Sequence, residues 1–410
     1  MEEKENWLFA DLHLHSRFSR ACSKELNLDN LAKWGKIKGL DLIGTGDFTH
    51  PIWIEEIREK LINNGNGIYE YKDFKFMITG EISLIYTQNG KGRKVHLVIL
   101  VPNLEIADKI NNYIDNKGFR RDYDGRPIFG ISCEDFTKDL KNISDNIEII
   151  PAHIWTPYFG VFGSMSGFDS LKEAFGKQES KIYSIETGIS SDPPMNLKIN
   201  ELKGKSIVSF SDSHSFWPWR LGREATIFNK TDSYFEIIRQ IRENDFIGTI
   251  ETEPAYGKYH WDGHAKCDFS CGPEKTKELN GICPKCNKKL VIGVENRVEG
   301  LANNSGENKS KMFYSILPLH EILSLYSSVG MNTKKVWNVY WKMISDFENE
   351  FNILLHVSKE DLLNKEIENS LVDLIISNRE GKIKVKPGYD GEYGEAVLED
   401  VAVNKQKTLI

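Results

Sequence analysis

Seven short apolar runs, rich in β-forming residues, recur through the first 255 residues, and their spacing is what most limits the fold. The runs lie at residues 7–12, 40–44, 76–80, 95–101, 147–151, 182–186 and 207–210. Several gaps between them, such as "LDNLAKWGKIKG" and "PIWIEEIREKLINN", carry helical patterns. Alternation of strands with helices favours a parallel sheet, and a barrel is the economical way to close it. The sequence therefore predicts an α/β barrel over residues 1–255.

Six of these seven predicted strands deliver a histidine or a carboxylate to one rim of the barrel. The residues so placed are His13, His15, Asp47, His50, Glu81, His96, His153, Asp212 and His214. Chemistry in such barrels occurs at the carboxyl ends of the strands. A single histidine is more often structural than a ligand, but nine candidates at one rim exceed the needs of a single ion. The pattern therefore predicts a centre of two or three divalent metals, with zinc, magnesium or manganese as the candidates.

Four of the six cysteines lie close together and indicate a separate metal site. Cys267, Cys271, Cys283 and Cys286 form a C-x3-C pair and, after a gap, the pair in "CPKC". Without a secretory signal, this spacing favours a structural zinc over disulfides, and two reduced thiol pairs are the alternative. His260 and His264 precede the module in "KYHWDGHAKC", and either could replace one cysteine as a ligand, but we expect them instead to be near neighbours of the metal or of a bound substrate. We predict a zinc-ribbon domain over residues 256–300.

Composition restricts the class of protein and its partners. The chain has 410 residues with 40% hydrophobic content, enough for two or three globular domains. No apolar run reaches the length of a membrane helix, and "MEEKENW" does not resemble a signal peptide, so we expect a cytoplasmic protein with no membrane partner. A net charge of −7 gives no broad basic face. Any contacts with a nucleic acid must therefore be local.

The motifs "HLH" and "GTGD", Glu81, His96, His153 and "DSH" together resemble the metal-binding signature of the polymerase and histidinol phosphatase (PHP) superfamily of phosphoesterases. The superfamily fold is a distorted seven-stranded barrel with a trinuclear metal site. "TGDFTHPIW", "SMSGFDS", "SIETGISSDPPMN", "GICPKC" and "PGYDGEYG" are more specific and resemble the endonuclease Q family of DNA repair nucleases. That family combines a PHP barrel with a zinc-binding domain and a helical carboxyl-terminal domain, in the same order along the chain.

The resemblance implies a DNA repair endonuclease that cuts the phosphodiester on the 5′ side of uracil, hypoxanthine, xanthine or an abasic site. It assigns His13, His15, Glu81 and Asp212 to one ion, and Glu81, His96 and His153 to a second. Asp47 or His50, with His214, would hold a third ion. Many superfamily members place a further histidine after the first pair, whereas "SRFSRACSK" offers only serines and Cys22. The third ion therefore has the least complete set of predicted ligands, unless Cys22 replaces that histidine.

The chemistry of phosphodiester hydrolysis also singles out residues without the family name. Two ions can activate a water on one side of the phosphate and neutralise the leaving oxygen on the other. Glu81 is the natural bridging carboxylate, and His153 completes the predicted catalytic set. Asp212 is the first choice for an essential residue that both ligates a metal and orients the attacking hydroxide. The alternative for Asp212 is an aspartate that only caps a helix.

Aromatic and basic residues follow two of the predicted ligands and could contact the damaged base. An extruded base is held between apolar walls, so residues beside the metal rim are the candidates. Those candidates are Trp155, Tyr158, Phe159, Phe216, Trp217 and Arg220. Hydrophobic packing of the two loops against the barrel is the alternative for each aromatic residue.

The last predicted unit, residues 301–410, has the pattern of a small helical domain. Val336, Tyr340, Met343 and Phe347 recur at helical spacing, and Ser358 with Asp361 resembles a capping box before "LLNKEIENSLVDLII". No clear clamp-binding peptide stands out, although a sliding clamp is one further partner to consider. A phosphatase of a small phosphorylated metabolite and a nonenzymatic DNA-binding protein are the competing hypotheses, since fold alone does not fix substrate.

Overall fold

The computed structural model describes residues 6–304 and 310–398. Part of the polar stretch at 303–312, and residues 399–410 of the predicted third domain, lie outside the described residues. All seven predicted apolar runs contain a strand. The strands are β1 (Trp7–Asp11), β2 (Leu42–Gly44), β3 (Ile62–Asn63), β4 (Tyr69–Tyr71), β5 (Phe74–Gln88), β6 (Lys91–Val101), β7 (Ile128–Phe129), β8 (Glu148–Pro151), β9 (Ser184–Glu186), β10 (Ser206–Val208), β11 (Ala225–Asn229), β12 (Gly248–Glu251), β13 (Asp262–His264), β14 (Phe269–Cys271), β15 (Met312–Ser315), β16 (Lys384–Lys386) and β17 (Glu395–Val397).

The helices fill the gaps in which the sequence shows helical periodicity. They are α1 (Leu28–Lys38), α2 (Pro51–Lys60), α3 (Leu104–Asn116), α4 (Cys133–Ile143), α5 (Leu171–Phe175), α6 (Pro193–Asn196), α7 (Tyr234–Arg242), α8 (Pro273–Glu278), α9 (Val294–Leu301), α10 (Leu319–Ser327), α11 (Lys334–Phe347), α12 (Lys359–Asn364) and α13 (Asn369–Arg379). Short 3-10 turns lie at Gly176–Lys181, Asn200–Leu202, Pro254–Tyr256 and Ala265–Cys267, and a π-helical turn lies at Asn352–His356. No helix in the described part of the chain is long and apolar enough to cross a membrane.

The seven predicted strands close into a distorted barrel in the order β1, β2, β5, β6, β8, β9, β10. β-Ladders join β1 to β2, β2 to β5, β5 to β6, β6 to β8 and β9 to β10. Ile154 N donates to Glu186 O (3.0 Å) between β8 and β9, and His15 N donates to Ser213 O (3.0 Å) beyond β1 and β10. The predicted α/β barrel class is therefore confirmed.

The sheet is mixed, which corrects the expectation of a parallel one. β5 and β6 form a long antiparallel hairpin, and β6 pairs antiparallel with β8. The hairpin turns at Asn89 and Gly90, both with positive φ (51° and 73°). Asn-Gly favours this type of turn because both residues tolerate a left-handed backbone. β11 also adds to β1 in the antiparallel direction.

The helical prediction for the carboxyl-terminal region is confirmed in its main element. α11 buries Val336, Tyr340, Met343 and Phe347 on one face, as their spacing predicts. Ser358 caps α12 by accepting a hydrogen bond from Asp361 N (3.0 Å), but the predicted following helix is divided into α12 and α13. In addition, β15 pairs in parallel with β12, so this region extends the sheet of the barrel.

Residues 288–294, near the end of the predicted zinc module, form isolated β-bridges and then begin α9. The bridges connect Lys289 to Ile282 and Val291 to Gly263. The module is held against the barrel through Arg297, which donates to the backbone oxygens of Phe162 and Phe168 at 3.0 Å. The aromatic loop that follows His153 is thereby packed between the barrel and the zinc module.

Candidate metal centre

Six of the nine predicted rim residues meet at one end of the barrel. His13 and His15 follow β1, Glu81 and His96 lie within β5 and β6, and the remaining two, His153 and Asp212, follow β8 and β10. Their side chains are almost completely buried, except that Asp212 is 31% exposed. His153 and Asp212 adopt positive φ values of 29° and 48°. Such backbone conformations are uncommon for residues other than glycine and concentrate at functional sites.

The first group of ligand atoms comprises His13, His15, Glu81 and Asp212, whose atoms lie within 4.8 Å of one another. Asp212 Oδ1 lies 3.0 Å from His15 Nε2 and 3.5 Å from His13 Nε2. His13 Nε2 is buried and has no hydrogen-bond partner among the described residues. A buried imidazole nitrogen that points at two carboxylates without a partner is what a metal-binding site requires.

The second group shares Glu81 with the first. Glu81 Oε1 lies 2.7 Å from His96 Nδ1 and 3.2 Å from His153 Nε2, and these three residues again lie within 4.8 Å of one another. The other carboxylate oxygen, Oε2, lies 3.4 Å from His15 Nε2 in the first group. One carboxylate thus faces both groups, which is the arrangement expected of a ligand that bridges two ions.

Residues behind the ligands hold the imidazole rings in position. His13 Nδ1 lies 2.8 Å from Glu186 Oε1, and His15 Nδ1 lies 3.1 Å from Asp47 Oδ1. Histidines that bind metals usually donate their second ring N–H to such a carboxylate, which fixes the tautomer and the ring orientation. These contacts leave the Nε2 atoms of both residues free for an ion. The donor set therefore fits divalent metals.

Glu186 was not predicted as a site residue, although it ends the one predicted strand that received no ligand. Besides orienting His13, its Oε2 accepts a hydrogen bond from the backbone N–H of His153 at 2.7 Å. It therefore links one ligand of each group. The signal was present in the sequence as a carboxylate at a strand end in "SIETG".

The electrostatics of the centre keep both carboxylates ionised and the imidazole of His96 neutral. Burial lowers the pKa of His96 to about 4, so this imidazole is neutral at physiological pH. Burial acts to raise the pKa of Asp212, but the neighbouring His13 and His214 outweigh it and lower the pKa overall. Burial likewise opposes ionisation of Glu81, but nearby cationic groups, including the guanidinium of Arg126, outweigh it and lower the pKa overall. Both carboxylates are therefore ionised and available as ligands.

The three residues predicted for a third ion join neither of the two ligand groups. Asp47 lies behind His15 and accepts hydrogen bonds from Ser16 and Ser19. His50 stacks on the ring of Phe18 with a centroid separation of 4.1 Å. His214 packs against His15 and its Nδ1 lies 2.8 Å from the backbone oxygen of Asp212. None of these three, nor Cys22, belongs to a group of metal-ligand atoms in residues 6–304 and 310–398.

Arg126 is a second residue at the centre that sequence analysis missed. It lies in the loop between α3 and β7, and its Nη1 donates to Glu81 Oε2 at 3.0 Å. The side chain is 22% exposed, so it lies at the mouth of the buried site. No spacing in the sequence marks this residue, because its partner is 45 residues away in the chain.

The zinc module gathers His264, Cys267, Cys283 and Cys286, with all four ligand atoms within 4.8 Å. His264 Nδ1 lies 3.1 Å from Cys267 Sγ and 3.3 Å from Cys286 Sγ. Burial tends to raise the pKa of Cys283, but the backbone N–H groups of Lys285 and Cys286 lower it to about 7, which favours the thiolate. One histidine and three cysteines form a standard tetrahedral zinc set.

Cys271 is not part of this group, which corrects the predicted set of four cysteines. Its Sγ lies 3.3 Å from Thr276 Oγ1. In the β13–β14 hairpin, Cys271 pairs with Asp262, whereas His264 pairs with Phe269 next to the turn that carries Cys267. His264 therefore occupies the position predicted for Cys271. His260 is also outside the group.

We expect Cys267→Ser to lose the zinc of the module and Cys271→Ser to retain it. Both variants exchange one sulfur for oxygen, but only the first removes an atom from the group of four, and a neutral hydroxyl is a poor replacement for a thiolate. Zinc content per chain after gel filtration measures the difference. Equal zinc loss in both variants would contradict the assignment.

The six predicted DNA-contacting residues are not equally accessible. Trp155 is fully buried and donates from Nε1 to Asn196 Oδ1 (2.8 Å), and Phe216 is only 4% exposed, so both belong to the core. Phe159 stacks on His96 at 4.2 Å. Tyr158 and Trp217 are exposed at 42% and 36%. The contact prediction thus stays open for Tyr158, Phe159, Trp217 and Arg220, but not for the two buried aromatics.

Tyrosines and cations, exposed or half-buried, form one surface next to the rim, which we call the aromatic surface: Tyr158, Tyr259, Tyr393, Lys258 and Arg220. The rings of Tyr158 and Tyr259 meet edge to face at 6.2 Å. Lys258 Nζ lies 4.5 Å, and the Arg220 guanidinium 5.8 Å, from the ring centre of Tyr393. Thr156, which contacts His153 Nδ1 at 2.8 Å, also donates to Tyr158 O at 3.0 Å. Thr156 therefore connects His153, a candidate metal ligand, to this surface.

Comparison with curated proteins finds relatives whose activity is not described. The protein MJ0043 of Methanocaldococcus jannaschii is 31% identical over 287 residues, which cover 67% of this chain and 34% of MJ0043. This chain thus spans about a third of the length of that relative. YqxK of Bacillus subtilis is 26% identical over 410 residues, covering 95% of this chain and 98% of YqxK. Residues 318–382 match the family described as the MJ0043 C-terminal domain.

Two crystal structures share the fold over nearly the whole chain. The lesion-specific endonuclease PfuEndoQ from Pyrococcus furiosus is 28% identical, with a TM-score of 0.87 and 96% of each chain covered. A complex of endonuclease Q with a 27-mer duplex substrate, which has an abasic lesion at the active site, is also 28% identical, with a TM-score of 0.86 and coverages of 96% and 97%. The resemblance to endonuclease Q that the sequence motifs indicate is therefore confirmed from the barrel through the carboxyl-terminal region.

Proposed function

We propose that this chain is a metal-dependent DNA repair endonuclease that hydrolyses the phosphodiester 5′ to an abasic site or a deaminated base. The observation that carries the proposal is the pair of metal-ligand groups that share Glu81 at the barrel rim. Similarity to endonuclease Q, including a complex with abasic duplex DNA, supports DNA as the substrate. Uracil, hypoxanthine and xanthine are the deaminated bases we expect it to recognise.

The residues of the centre have distinct parts in this chemistry. Divalent ions bound there would supply a nucleophilic water at neutral pH and stabilise charge on the phosphate. Glu81 would hold both groups at a fixed separation, while Glu186 and Asp47 keep the imidazoles of His13 and His15 aimed at the site. Asp212 is the most exposed of the candidate ligands, at 31%, so it is the one that a substrate can reach most easily. It is therefore the residue placed to orient the attacking water.

Lesion recognition requires a surface that can hold DNA next to the metal centre. A base is inspected by extruding it from the stack and placing it against apolar or aromatic groups. Tyr158 and Tyr393 offer exposed rings, at 42% and 48%, and Lys258 and Arg220 offer cations for the backbone phosphates. The net charge of −7 makes such a local surface necessary for binding DNA. We propose that the aromatic surface contacts the damaged strand.

The proposal is tested with a panel of substrates at equal concentration in magnesium, manganese or zinc. The panel contains duplexes with one abasic site, uracil, hypoxanthine or xanthine, an undamaged duplex, and a small phosphomonoester. We expect cleavage of damaged duplexes only, and its loss on addition of a chelator. Hydrolysis of the phosphomonoester without cleavage of any duplex would instead support the competing phosphatase hypothesis.

A variant of the aromatic surface separates DNA contact from metal chemistry. We expect Tyr393→Ala to weaken binding of an abasic duplex by about 1–3 kcal/mol, the usual contribution of one aromatic stacking contact. Metal content should not change, because Tyr393 lies outside the ligand groups. Phe235→Ala is the control, since Phe235 on α7 is an aromatic residue of similar exposure (50%) that lies outside this surface. Equal binding by the two variants would contradict a role for the aromatic surface.

A further inference from the structure

We propose that Arg126 supplies the positive charge that a third metal ion would bring to the rim, so that the centre holds two ions and Arg126 binds the phosphate that is cut. This inference rests on the proposed function for its substrate. Its geometric basis is the guanidinium of Arg126, which lies 3.0 Å from Glu81 Oε2, the oxygen that also faces His15. No other arginine or lysine of the described chain has a hydrogen bond to a member of the two ligand groups.

Asp47, the carboxylate predicted to help hold a third ion, already has a full set of hydrogen-bond partners. Asp47 Oδ1 contacts His15 at 3.1 Å, and Oδ2 accepts hydrogen bonds from Ser16 N, Ser16 Oγ (both 2.6 Å) and Ser19 Oγ (2.9 Å). Four contacts occupy the lone pairs of this carboxylate. Asp47 therefore serves to orient His15, and an ion would have to displace its serine partners in order to bind it.

The loop that carries Arg126 packs closely against the carboxylate of Asp47. Gly125 N donates to Phe18 O at 3.1 Å, and a Cβ atom at Gly125 would collide with Asp47 Oδ2. Asp124, which is buried, accepts hydrogen bonds from the backbone N–H groups of Arg20 (3.3 Å) and Arg126 (3.2 Å). These contacts fix the backbone on either side of Gly125. Because Gly125 lies directly against Asp47, the side chain of Arg126 reaches the mouth of the site.

The chemistry of arginine suits this position. A guanidinium carries five N–H donors in a planar fork that matches phosphate oxygens, and it keeps its charge at any physiological pH. The hydrogen bond to Glu81 uses one donor group, and the 22% exposure of the side chain leaves the remainder facing solvent. A fixed cation at this point can stabilise the charge that develops on the phosphate during hydrolysis.

The first test is a metal count, which does not depend on catalysis. The chain is loaded with manganese, passed through gel filtration and analysed by plasma mass spectrometry for manganese and zinc. We expect three ions per chain in total, two at the rim and one in the zinc module, and the same total in Arg126→Met. A total of four in the wild-type chain would overturn the inference.

The second test compares Arg126→Met and Arg126→Lys with Arg120→Met, a control in the same loop whose partner is Asp122. We expect Arg126→Met to lower the single-turnover rate of abasic-duplex cleavage by about 10²- to 10³-fold, as for loss of one charge-stabilising donor. Arg126→Lys should restore part of the rate, and Arg120→Met should match the wild type. Full activity of Arg126→Met would overturn a role in the reaction.

Binding of inorganic phosphate to the manganese-loaded chain distinguishes failure of this inference from failure of the proposed function. We expect phosphate to bind Arg126→Met roughly tenfold more weakly than the wild type, because one charge-assisted contact is lost. If the wild type cleaves no damaged duplex, the proposed function fails, yet the metal count and phosphate affinity still decide the part of Arg126. Unchanged phosphate affinity would overturn it.

Discussion

Asp212→Asn should reduce cleavage of an abasic duplex by at least about 10³-fold, because metal-assisted charge stabilisation contributes several kcal/mol and each 1.36 kcal/mol is a factor of ten in rate. Asp212 Oδ1 lies close to both His15 Nε2 and His13 Nε2, so the substitution removes a negative charge from the centre of the first ligand group. Asparagine keeps the size of the side chain and tolerates the left-handed backbone at this position (φ 48°). The effect should therefore fall on catalysis rather than on folding.

Asp232→Asn is the matched control for this prediction. Asp232 is 71% exposed and pairs only with Lys75 on the outside of the barrel. We expect it to cleave at the wild-type rate. Both variants should bind the abasic duplex with affinities close to the wild type, as measured by fluorescence anisotropy. If Asp212→Asn retained cleavage comparable to Asp232→Asn, the assignment of Asp212 to the reaction would be wrong.

The second large effect concerns stability. Lys38→Met should destabilise the chain by about 3–5 kcal/mol, the usual result of removing one partner from a buried ion pair. Lys38 lies at the end of α1 in the barrel, is 1% exposed, and donates to Glu350 Oε1 at 2.7 Å and to Pro218 O at 2.8 Å. Glu350 is fully buried and also accepts from Leu319 N and Tyr340 Oη, both at 3.0 Å. Without Lys38, a charge remains buried between the barrel and the helical region.

Two further variants show whether the Lys38–Glu350 ion pair is responsible for the loss of stability. Lys36→Met, on the same helix but exposed, should cost less than about 1 kcal/mol because its single hydrogen bond is to the backbone of Lys72 at the surface. Adding Glu350→Gln to Lys38→Met should recover part of the loss, since the amide keeps the shape of the glutamate but not its charge. Urea unfolding midpoints measure these differences. A shift for Lys38→Met no larger than that for Lys36→Met would contradict the account.

The strands could be predicted from the sequence because each apolar run is a local signal. Strand direction could not be predicted in the same way. The β5–β6 hairpin turns on Asn89 and Gly90 in "QNGK", a dipeptide that favours an antiparallel hairpin, whereas the general alternation of strands and helices favours parallel strands. β11 and β12 pair with β1 and β15 through contacts distant in sequence, which no local pattern reports.

Residue type at strand ends singles out the candidate metal ligands, but it does not single out the residues that support them. His13, Glu81 and Asp212 are marked by their residue types at strand ends. Glu186 and Arg126 act through partners 173 and 45 residues away. Asp47 has the residue type of a ligand, but its hydrogen bonds to Ser16, Ser19 and His15 turn it into a support for the imidazole. Residue type alone does not distinguish these two uses of a carboxylate.

The zinc module shows a similar limit. The spacing of Cys267, Cys283 and Cys286 predicts a metal site, and the structure brings the three together, but the spacing cannot choose between Cys271 and His264 for the fourth position. The choice depends on the register of the β13–β14 hairpin, which places His264 next to the turn and Cys271 at its far end.

The preferred lesion, a sliding-clamp partner and a cytoplasmic location stay predictions.

The most direct test of the proposed function is the cleavage pattern of an end-labelled duplex that contains one abasic site, resolved at single-nucleotide length in each of magnesium, manganese and zinc. We predict a single cut on the 5′ side of the abasic site in the damaged strand, dependent on the metal and absent from an undamaged duplex of the same sequence. No cut in any of the three metals, or equal cutting of the undamaged duplex, would contradict the proposal.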